Sequence, residues 1–378
     1  MILEKIILDR IRTTGQISFR EFMQLTLYYP EIGYYSGSKD KISPQGDFVT
    51  ATTQSSLFAR TFARQFALVL SELGSDAHII EFGAGNGKFA TDCMDELLKL
   101  GELPDKYIII ELSNDLKLRQ QEYIKENIPD LYDKFLWLNE LPKQKVKAVV
   151  FANEVLDAMP VDIFTSREGE VFQQGVTLKS DDSFEFMDMP KNDNRFTSEI
   201  NRVLGDGITF ADGYTSEINT WIRPWVKALK DSISQGIVFL CDYGYHRAEY
   251  YSKERTMGTL ACYHHHKVNF DPFINIGEQD ITAHVDFTTV AEAATEVGFE
   301  LDGYMTQANF LKRSGISEVF TEHSKGLNQK EQLRYNNDIK DLLLNDKLAE
   351  VFKVIGFSLN FDFILESFDN DDNVDYLL

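Results

Sequence analysis

The sequence predicts an α/β fold built on a mostly parallel, Rossmann-like sheet. The first observation is that short apolar runs recur from about residue 76 onward, at 78–82, 107–111, 135–138, 148–152 and 237–241. The second is that helical patterns at 88–100 and 114–127 separate the first three runs. Strands that alternate with helices are typical of βαβ units, in which neighbouring strands run parallel and are covered on both faces.

The other segments are predicted in outline. Residues 1–75 form a mostly helical N-terminal segment with a long loop, and the core occupies 76–160 and 236–378. Residues 161–235 are predicted to be an insertion that contains hairpins and loops followed by a helix at 214–231. A further loop insertion is predicted at 243–286. A last apolar strand is expected at 357–365. The predicted fold therefore has a helical start, a Rossmann-like core and insertions.

Composition excludes several function classes. The formal net charge of −22 argues against nucleic acid as a partner, because phosphate binding needs clustered Lys and Arg. It favours cationic partners or simply good solubility. Three cysteines fit a reducing compartment. The N-terminus lacks a targeting pattern and no apolar run is long enough to insert in a membrane, so we expect a cytoplasmic protein.

A glycine turn is the strongest local signal. The segment Glu81-Phe-Gly83-Ala-Gly85-Asn-Gly87 follows a predicted strand and opens a helix. Glycines allow a tight turn and let a ligand lie against bare main chain. A nicotinamide site would need glycine where this chain has Lys88. The G-x-G-x-G spacing after an acid suits S-adenosylmethionine (SAM), which has an ammonium group and ribose hydroxyls but no pyrophosphate.

Two further acidic segments follow neighbouring strands. Glu111 ends the next apolar run, where a carboxylate accepts hydrogen bonds from ribose hydroxyls. Asn153, Glu154 and Asp157 follow the fourth run. In an open parallel sheet such residues face the ligand crevice, so we expect them to lie near a methyl acceptor. A helix cap followed by a solvated acid pair is the alternative for this last segment.

The ordered set of motifs resembles the MidA-like methyltransferase family. It comprises Gly33-Tyr-Tyr35, Gly46-Asp47-Phe-Val-Thr50, the segment 81–87, Asn153 to Pro160, Asp242-Tyr243-Gly244, Gly258-Thr-Leu260 and 277–287. The resemblance implies a seven-stranded class I methyltransferase core that binds SAM. It also implies N-methylation of an arginine in a protein partner, such as a respiratory NADH dehydrogenase subunit.

The resemblance assigns roles to individual residues. It places Asp47 and Thr50 with the cofactor residues Glu81, Gly83, Gly85, Gly87, Glu111 and Asn153. Asp242, Tyr243 and His266 are implied to contact the substrate. One departure from the family pattern is Thr53, where the family has an acid, and another is the triple His264-His265-His266, of which only His266 matches.

The predicted chemistry is methyl transfer from SAM with carboxylates that orient a guanidinium. Glu154 and Asp157, with Asn153, are the catalytic candidates, since carboxylates bind guanidinium groups and accept protons. Asp47 or Asp242 is expected to support them. No metal is expected, because adjacent histidines on a strand point to opposite faces. Two alternatives stay open: a SAM-binding assembly factor or scaffold without turnover, and a methyltransferase that acts on a small molecule.

Overall fold

The protein was examined as a computed structural model, which describes residues 2–37, 55–191, 193–344, 351–369 and 372–378. Its α-helices are α1 (Ile2–Thr14), α2 (Phe19–Tyr28), α3 (Ser56–Leu73), α4 (Lys88–Leu100), α5 (Asn114–Asn127), α6 (Asn194–Gly205), α7 (Ile222–Ser232), α8 (Arg247–Tyr250), α9 (Phe287–Glu296), α10 (Gln307–Arg313), α11 (Ile316–His323) and α12 (Gln329–Leu344). Short 3₁₀ segments lie at Pro129–Lys134 and Asp372–Tyr376.

The strands lie between these helices. They are β1 (Ile17–Ser18), β2 (His78–Phe82), β3 (Tyr107–Ile110), β4 (Phe135–Leu138), β5 (Val146–Asn153), β6 (Asp162–Arg167), β7 (Glu170–Leu178), β8 (Phe184–Asp188), β9 (Thr215–Ile218), β10 (Ile233–Tyr245), β11 (Ala261–His264), β12 (Lys267–Asn269), β13 (Asp280–Thr282), β14 (Val285–Asp286), β15 (Glu300–Thr306) and β16 (Phe352–Leu359).

Internal contacts divide the chain into two compact units. The hairpin unit draws its described residues from 1–48, 156–224 and 245–289, and the sheet unit from 49–155, 225–244 and 290–378. The hairpin unit thus combines the first helices with most of the two segments that we expected to be insertions. Its strands β1, β7, β6 and β9 form an antiparallel sheet with β8 at the side of β7, and β12, β11 and β13 form a second one.

The sheet unit contains the predicted α/β core. Seven strands follow the order β15-β16-β10-β5-β2-β3-β4. The pairs from β10 to β4 are parallel, whereas β16 runs antiparallel to both β10 and β15. Because β2 precedes both of its neighbours in the chain, the direction of winding changes at β2. The predicted seven-stranded Rossmann-like fold is confirmed.

Phenylalanine packing holds the ends of β2 and β5 in place. Phe62 and Phe66 of α3 are fully buried and contact the ring of Phe151. Phe89 of α4 stacks on Phe151, with ring centroids 4.3 Å apart and an interplanar angle of 10°. Stacked rings contribute about 0.5–1.5 kcal/mol beyond their buried area. Phe89 lies two residues after Gly87 and Phe151 two residues before Asn153, so this stack anchors both segments.

Two predicted elements differ from the structure. The helix expected at 214–231 starts only at Ile222, two residues before Pro224, because proline is tolerated in the first turn of a helix but not in its interior. The preceding residues pair with β6 as the strand β9. The last strand begins at Phe352, earlier than predicted, and includes Gly356. Glycine fits this strand because the ring of Phe368 packs directly over it.

Candidate functional site

The carboxyl ends of β2, β3 and β5 lie at the same edge of the sheet. Phe82 is in register with Ile110 of β3 on one side and with Ala152 of β5 on the other. The glycine turn and Asn153 therefore leave the sheet side by side. Ligands of open parallel sheets bind outside the carboxyl ends of the strands, where the direction of winding changes. This edge is the candidate site of the sheet unit.

The glycine turn has a left-handed backbone at every glycine. Gly83, Gly85 and Gly87 have φ angles of 62°, 55° and 84°, a region that favours glycine over residues with a side chain. Gly83 donates its N–H to Ile110 O at 3.2 Å. Gly87 is the N-cap of α4, and Asn86 Oδ1 accepts the N–H of Lys88 at 3.0 Å. The turn thus presents bare main chain at the start of a helix.

Glu111 follows β3 and is buried, with 7% of its surface exposed. Its carboxylate accepts hydrogen bonds from Ser113 N at 2.8 Å and from Gln120 Nε2 at 3.0 Å. Burial raises the pKa of the Glu111 carboxyl, and these two donors oppose that rise. Each carboxylate oxygen can accept more than one hydrogen bond, so Glu111 retains capacity for a hydroxyl donor.

Glu81 has a different environment at the end of β2. Its carboxyl group is 3% exposed and accepts a hydrogen bond from Tyr107 Oη at 2.8 Å. Burial raises the pKa of Glu81 to about 8, which the Tyr107 hydrogen bond only partly offsets. At neutral pH this group is mainly protonated, so it can donate a hydrogen bond but contributes little negative charge.

The turn after β5 combines an amide and a carboxylate. Asn153 Nδ2 donates to Glu154 Oε1 at 3.1 Å, while Asn153 Oδ1 is buried without a hydrogen-bond partner among the described residues. Glu154 has a φ angle of 50°, and its N–H donates to Cys241 O at 2.9 Å. A side chain in this backbone region costs about 1–2 kcal/mol, and such strain clusters at functional sites.

Asp242 of the neighbouring strand β10 supports that turn. It is buried, and its Oδ2 accepts the Val155 N–H at 3.2 Å. Its Oδ1 accepts the N–H of Tyr243 at 2.9 Å. The ring of Tyr243 packs against Phe352, with centroids 5.5 Å apart. The Asp242 carboxylate therefore contacts the backbone immediately after Glu154.

Two predicted residues belong to the hairpin unit. Asp157 is buried, and its carbonyl oxygen accepts the Ala283 N–H at 3.1 Å. Desolvation raises the pKa of the buried Tyr35, and the negative charges of Asp280 and, to a smaller extent, Asp157 add to this rise.

His266 is exposed in the turn between β11 and β12. His265 and His266 have φ angles of 48° and 59°, as two-residue hairpin turns require. Our assumption that the adjacent histidines lie on a strand was wrong for His265 and His266, whereas His264 is the last residue of β11.

Some predictions fall outside what the structure describes. Asp47 and Thr50, predicted to bind the cofactor, and the departure at Thr53 all lie outside the described residues. Within the described ranges, no three His, Cys, Asp or Glu side chains are grouped closely enough to hold a metal ion.

The sequence analysis missed Gln120. This residue of α5 is fully buried and donates to both Gly85 O, at 2.9 Å, and Glu111 Oε2. The sequence signal was spacing alone, because Gln120 lies four residues before the apolar Ile124; the structure shows that both are buried. A polar residue at a core position of an amphipathic helix needs a partner.

A cavity of about 570 Å³ in the hairpin unit contains none of the predicted residues. It is lined by α2, the turn after it and Trp221. The charged groups on its wall already have partners: Arg20 binds Asp162 and Asp193, and Glu21 binds Arg10. The candidate site is therefore the sheet edge and not this cavity.

Comparison with known proteins identifies the family. Residues 61–305, which include every element of the sheet edge described above, match the family described as "Putative S-adenosyl-L-methionine-dependent methyltransferase". This chain belongs to that family. The predicted MidA-like resemblance, the SAM-dependent methyltransferase activity and the SAM cofactor are confirmed.

Two solved structures from Burkholderia thailandensis are similar over nearly the whole chain. One contains bound S-adenosylhomocysteine, with a TM-score of 0.90 and 35% identity over 98% of this chain and 95% of that chain. The second, a native crystal structure, has a TM-score of 0.88 and 36% identity over the same shares. The first of these relatives thus binds the demethylated product of SAM.

Curated relatives are more distant in sequence. The mitochondrial protein arginine methyltransferase NDUFAF7 homolog of Caenorhabditis elegans is 25% identical, over 94% of this chain and 88% of the relative. Its counterpart from Homo sapiens, also named mitochondrial, is 24% identical over 89% and 79%. Our prediction of a cytoplasmic protein is wrong by this comparison, because these relatives are mitochondrial proteins. In the part of the chain that the structure describes, no helix is long and apolar enough to span a membrane.

Proposed function

We propose that this methyltransferase N-methylates an arginine of a protein partner. The observation that carries the proposal is the Asn153–Glu154 turn, which holds a carboxylate at the sheet edge in a strained conformation. Gly83 lies against this turn, since a Cβ at Gly83 would be 3.4 Å from Val155 Cγ2. The curated relatives named above are protein arginine methyltransferases, which supports a guanidinium acceptor.

SAM fits the residues at the sheet edge on three observations. Asn153 Oδ1 is a buried acceptor without a donor among the described residues, and an unmet buried acceptor costs about 1–3 kcal/mol. An ammonium or hydroxyl group of the cofactor would supply that donor. The Glu111 carboxylate can accept further hydrogen bonds, as from ribose hydroxyls, and the glycine turn offers bare main chain. We therefore assign SAM to Gly83, Gly85, Gly87, Glu111 and Asn153.

Glu81 takes a supporting role in this proposal. Because its raised pKa leaves it mainly protonated, it would act through hydrogen bonding and not through charge. Asp47 and Thr50 stay predicted cofactor residues.

Glu154 is proposed to supply the carboxylate that orients the guanidinium, the acceptor of the methyl group. SAM, when bound, supplies an electrophilic methyl group. The Glu154 carboxylate would hold the guanidinium by charge-assisted hydrogen bonds and accept a proton from it, while Asn153 Nδ2 fixes the orientation of that carboxylate. Asp157 remains a second catalytic candidate, and Tyr243 and His266 remain candidates for substrate contact.

Of the two roles predicted for Asp242, support of the catalytic carboxylate and substrate contact, we assign the first. Both of its carboxylate oxygens accept backbone N–H groups. We propose that it acts on the acceptor through Glu154, whose turn it holds.

The net charge of −22 suits a cationic, arginine-bearing partner. Peptides from a respiratory NADH dehydrogenase subunit are the first substrates to test, because the family resemblance implies such a partner. Labelled SAM would be incubated with these peptides, and transfer to arginine would be measured by mass spectrometry of the product. Methylation of small molecules alone, or SAM binding without any transfer, would contradict the proposal.

The matched variants are Glu154→Gln and Glu168→Gln. Glu168 is also a glutamate with a left-handed backbone, φ 53°, but it is exposed in the hairpin unit. We expect Glu154→Gln to keep SAM binding within about twofold and to lose about 100-fold or more in kcat, the usual contribution of a positioned acid–base group. Glu168→Gln should leave both quantities unchanged. Equal kcat in the two variants would exclude Glu154 as the carboxylate that orients the guanidinium and accepts its proton.

A further inference from the structure

The side chain of Gln120 connects three parts of the candidate site. Its Nε2 donates one hydrogen bond to Gly85 O at 2.9 Å and another to Glu111 Oε2 at 3.0 Å. Its Oε1 accepts the indole N–H of Trp137 at 3.1 Å. Gln120 is 0% exposed, so water cannot replace these partners.

Only one orientation of the Gln120 amide satisfies these neighbours. Gly85 O and Glu111 Oε2 are acceptors and require the two N–H groups of the amide, whereas the Trp137 indole is a donor and requires its oxygen. A flipped amide would place oxygen against two acceptors and N–H against a donor. Trp137 therefore sets the direction in which Gln120 presents its two N–H groups.

Close packing fixes the backbone of this helix against the glycine turn as well. A Cβ placed on Gly87 would lie 3.4 Å from Gln120 Cα. The main chain of the turn thus contacts the main chain of α5 at Gln120. The side chain of this same residue reaches Glu111.

We propose that Gln120 is a positioning residue that sets the Glu111 carboxylate relative to the glycine turn and so determines the affinity for SAM. This inference rests on the proposed placement of SAM at these residues. The Gln120 amide binds both Glu111, which we expect to contact the ribose, and Gly85 O in the turn that we expect to lie against the cofactor. Its N–H also stabilises the ionised form of Glu111, which is the form with full capacity to accept ribose hydroxyls.

The experiment compares Gln120→Leu with Gln121→Leu. Gln121 is the next residue on α5 and is only half-buried, so it matches the chemical change outside the network. Affinity for S-adenosylhomocysteine would be measured by titration calorimetry, and the KM for SAM and kcat by methyl transfer. We expect Gln120→Leu to raise Kd and KM about tenfold or more, the effect of losing a hydrogen bond to a charged group, with kcat within about twofold. Gln121→Leu should change none of them.

The variant Gln120→Glu provides a second readout. Its carboxylate would face Glu111, and like charges at this distance cannot both ionise easily. We expect binding of S-adenosylhomocysteine to be weak at pH 8 and to recover toward pH 5, as protonation restores a donor. The wild-type enzyme and Gln121→Glu should lack this recovery. A purely structural role would change the melting temperature without a pH-dependent Kd.

The outcomes separate the two proposals. A wild-type protein that fails to bind S-adenosylhomocysteine would refute the proposed cofactor site itself. A wild-type protein that binds it, together with a Gln120→Leu variant that binds equally well, would overturn the role of Gln120 alone. If Gln120→Leu does not fold, the pH dependence of Gln120→Glu decides, and a flat profile overturns the inference.

Discussion

Two turns leave the same edge of the sheet, and both contain backbone in the left-handed region. The turn after β2 uses Gly83, Gly85 and Gly87 at its left-handed positions. The turn after β5 places Glu154 in that region, with φ 50°. Glycine accepts this conformation at little steric cost, whereas a glutamate must be held there by its surroundings.

The difference between these turns indicates different tasks. In the glycine turn the absence of side chains matters, because a ligand can approach the main chain. In the turn after β5 a particular side chain matters, and Cys241 O and the Asp242 carboxylate hold the backbone around it. A left-handed backbone alone does not indicate function, since exposed Glu168 has a similar φ angle. Glu154 differs from Glu168 because it lies at the sheet edge and its carboxylate accepts a hydrogen bond from Asn153.

The largest effect is expected from Gly85→Val. A β-branched side chain disfavours φ 55°, and it would occupy the space proposed for the cofactor. SAM binding should weaken by about 100-fold or more, measured by calorimetry. The control is Gly101→Val at the end of α4, where φ is 78° and an added Cβ would meet no atom within 4 Å. It should destabilise by about 1–2 kcal/mol but keep SAM binding. Equal binding by both variants would mean that the glycine turn is structural only.

The second prediction places glycine at the left-handed position of the turn after β5. Glu154→Gly removes both the strain and the carboxylate. The gain from relieved strain is partly offset by the entropy of glycine, so we expect the free energy of unfolding to rise by about 0–1 kcal/mol. The turnover number should fall about 100-fold. Denaturant unfolding and methyl-transfer assays provide the two measurements.

Glu168→Gly is the control for this change, because Glu168 has a similar φ angle of 53° and is exposed. It should show the same small stability change with full turnover. A Glu154→Gly variant that lost stability and kept turnover would contradict the assignment of Glu154.

The smallest effect concerns the acid that precedes the glycine turn. The pKa of Glu81 is raised from 4.5 to about 8 in the folded protein. The folded protein therefore retains a proton that the unfolded chain releases, so this contribution to stability is full below pH 4.5 and is lost as the pH rises through about 8. Glu81→Gln has no proton to lose. Relative to wild type, its free energy of unfolding should increase steadily between these pH values.

Denaturant unfolding at a series of pH values would measure this difference. Glu140→Gln is the control, since the Glu140 side chain is 70% exposed. A difference between Glu81→Gln and wild type that did not vary with pH would show that Glu81 is ionised in the folded protein.

Local patterns were sufficient for much of the fold and for the outline of the site. The strand at 78–82 matched the structure at both ends, because its apolar residues Ile79, Ile80 and Phe82 are buried in a parallel sheet. The run before Asn153 begins slightly earlier than predicted, at Val146. A serine followed three residues later by a glutamate is typical of a helix start, and Ser18 Oγ accepts the Glu21 N–H at 3.1 Å at the start of α2.

The parts that could not be predicted depend on neighbours distant in the chain. Gly356 suggests a break in a strand until Phe368 is seen to pack over it. Gln120 gains its role from Gly85, which is 35 residues away. Asp242 contacts the backbone at Val155, 87 residues away, although the family pattern suggested a substrate contact.

The amino-acid sequence alone determined the kind of protein: a parallel α/β core, a glycine turn suited to SAM and acids after successive strands. Spacing and residue type determine these features because they depend on local backbone geometry and on which faces are apolar. Only the tertiary structure decided the environment of each acid: burial raises the pKa of Glu81 beside Tyr107, Gln120 holds Glu111, and Glu154 is strained beside Cys241. Desolvation and hydrogen bonding are set by whatever the fold brings within a few ångströms, and sequence separation carries no information about that.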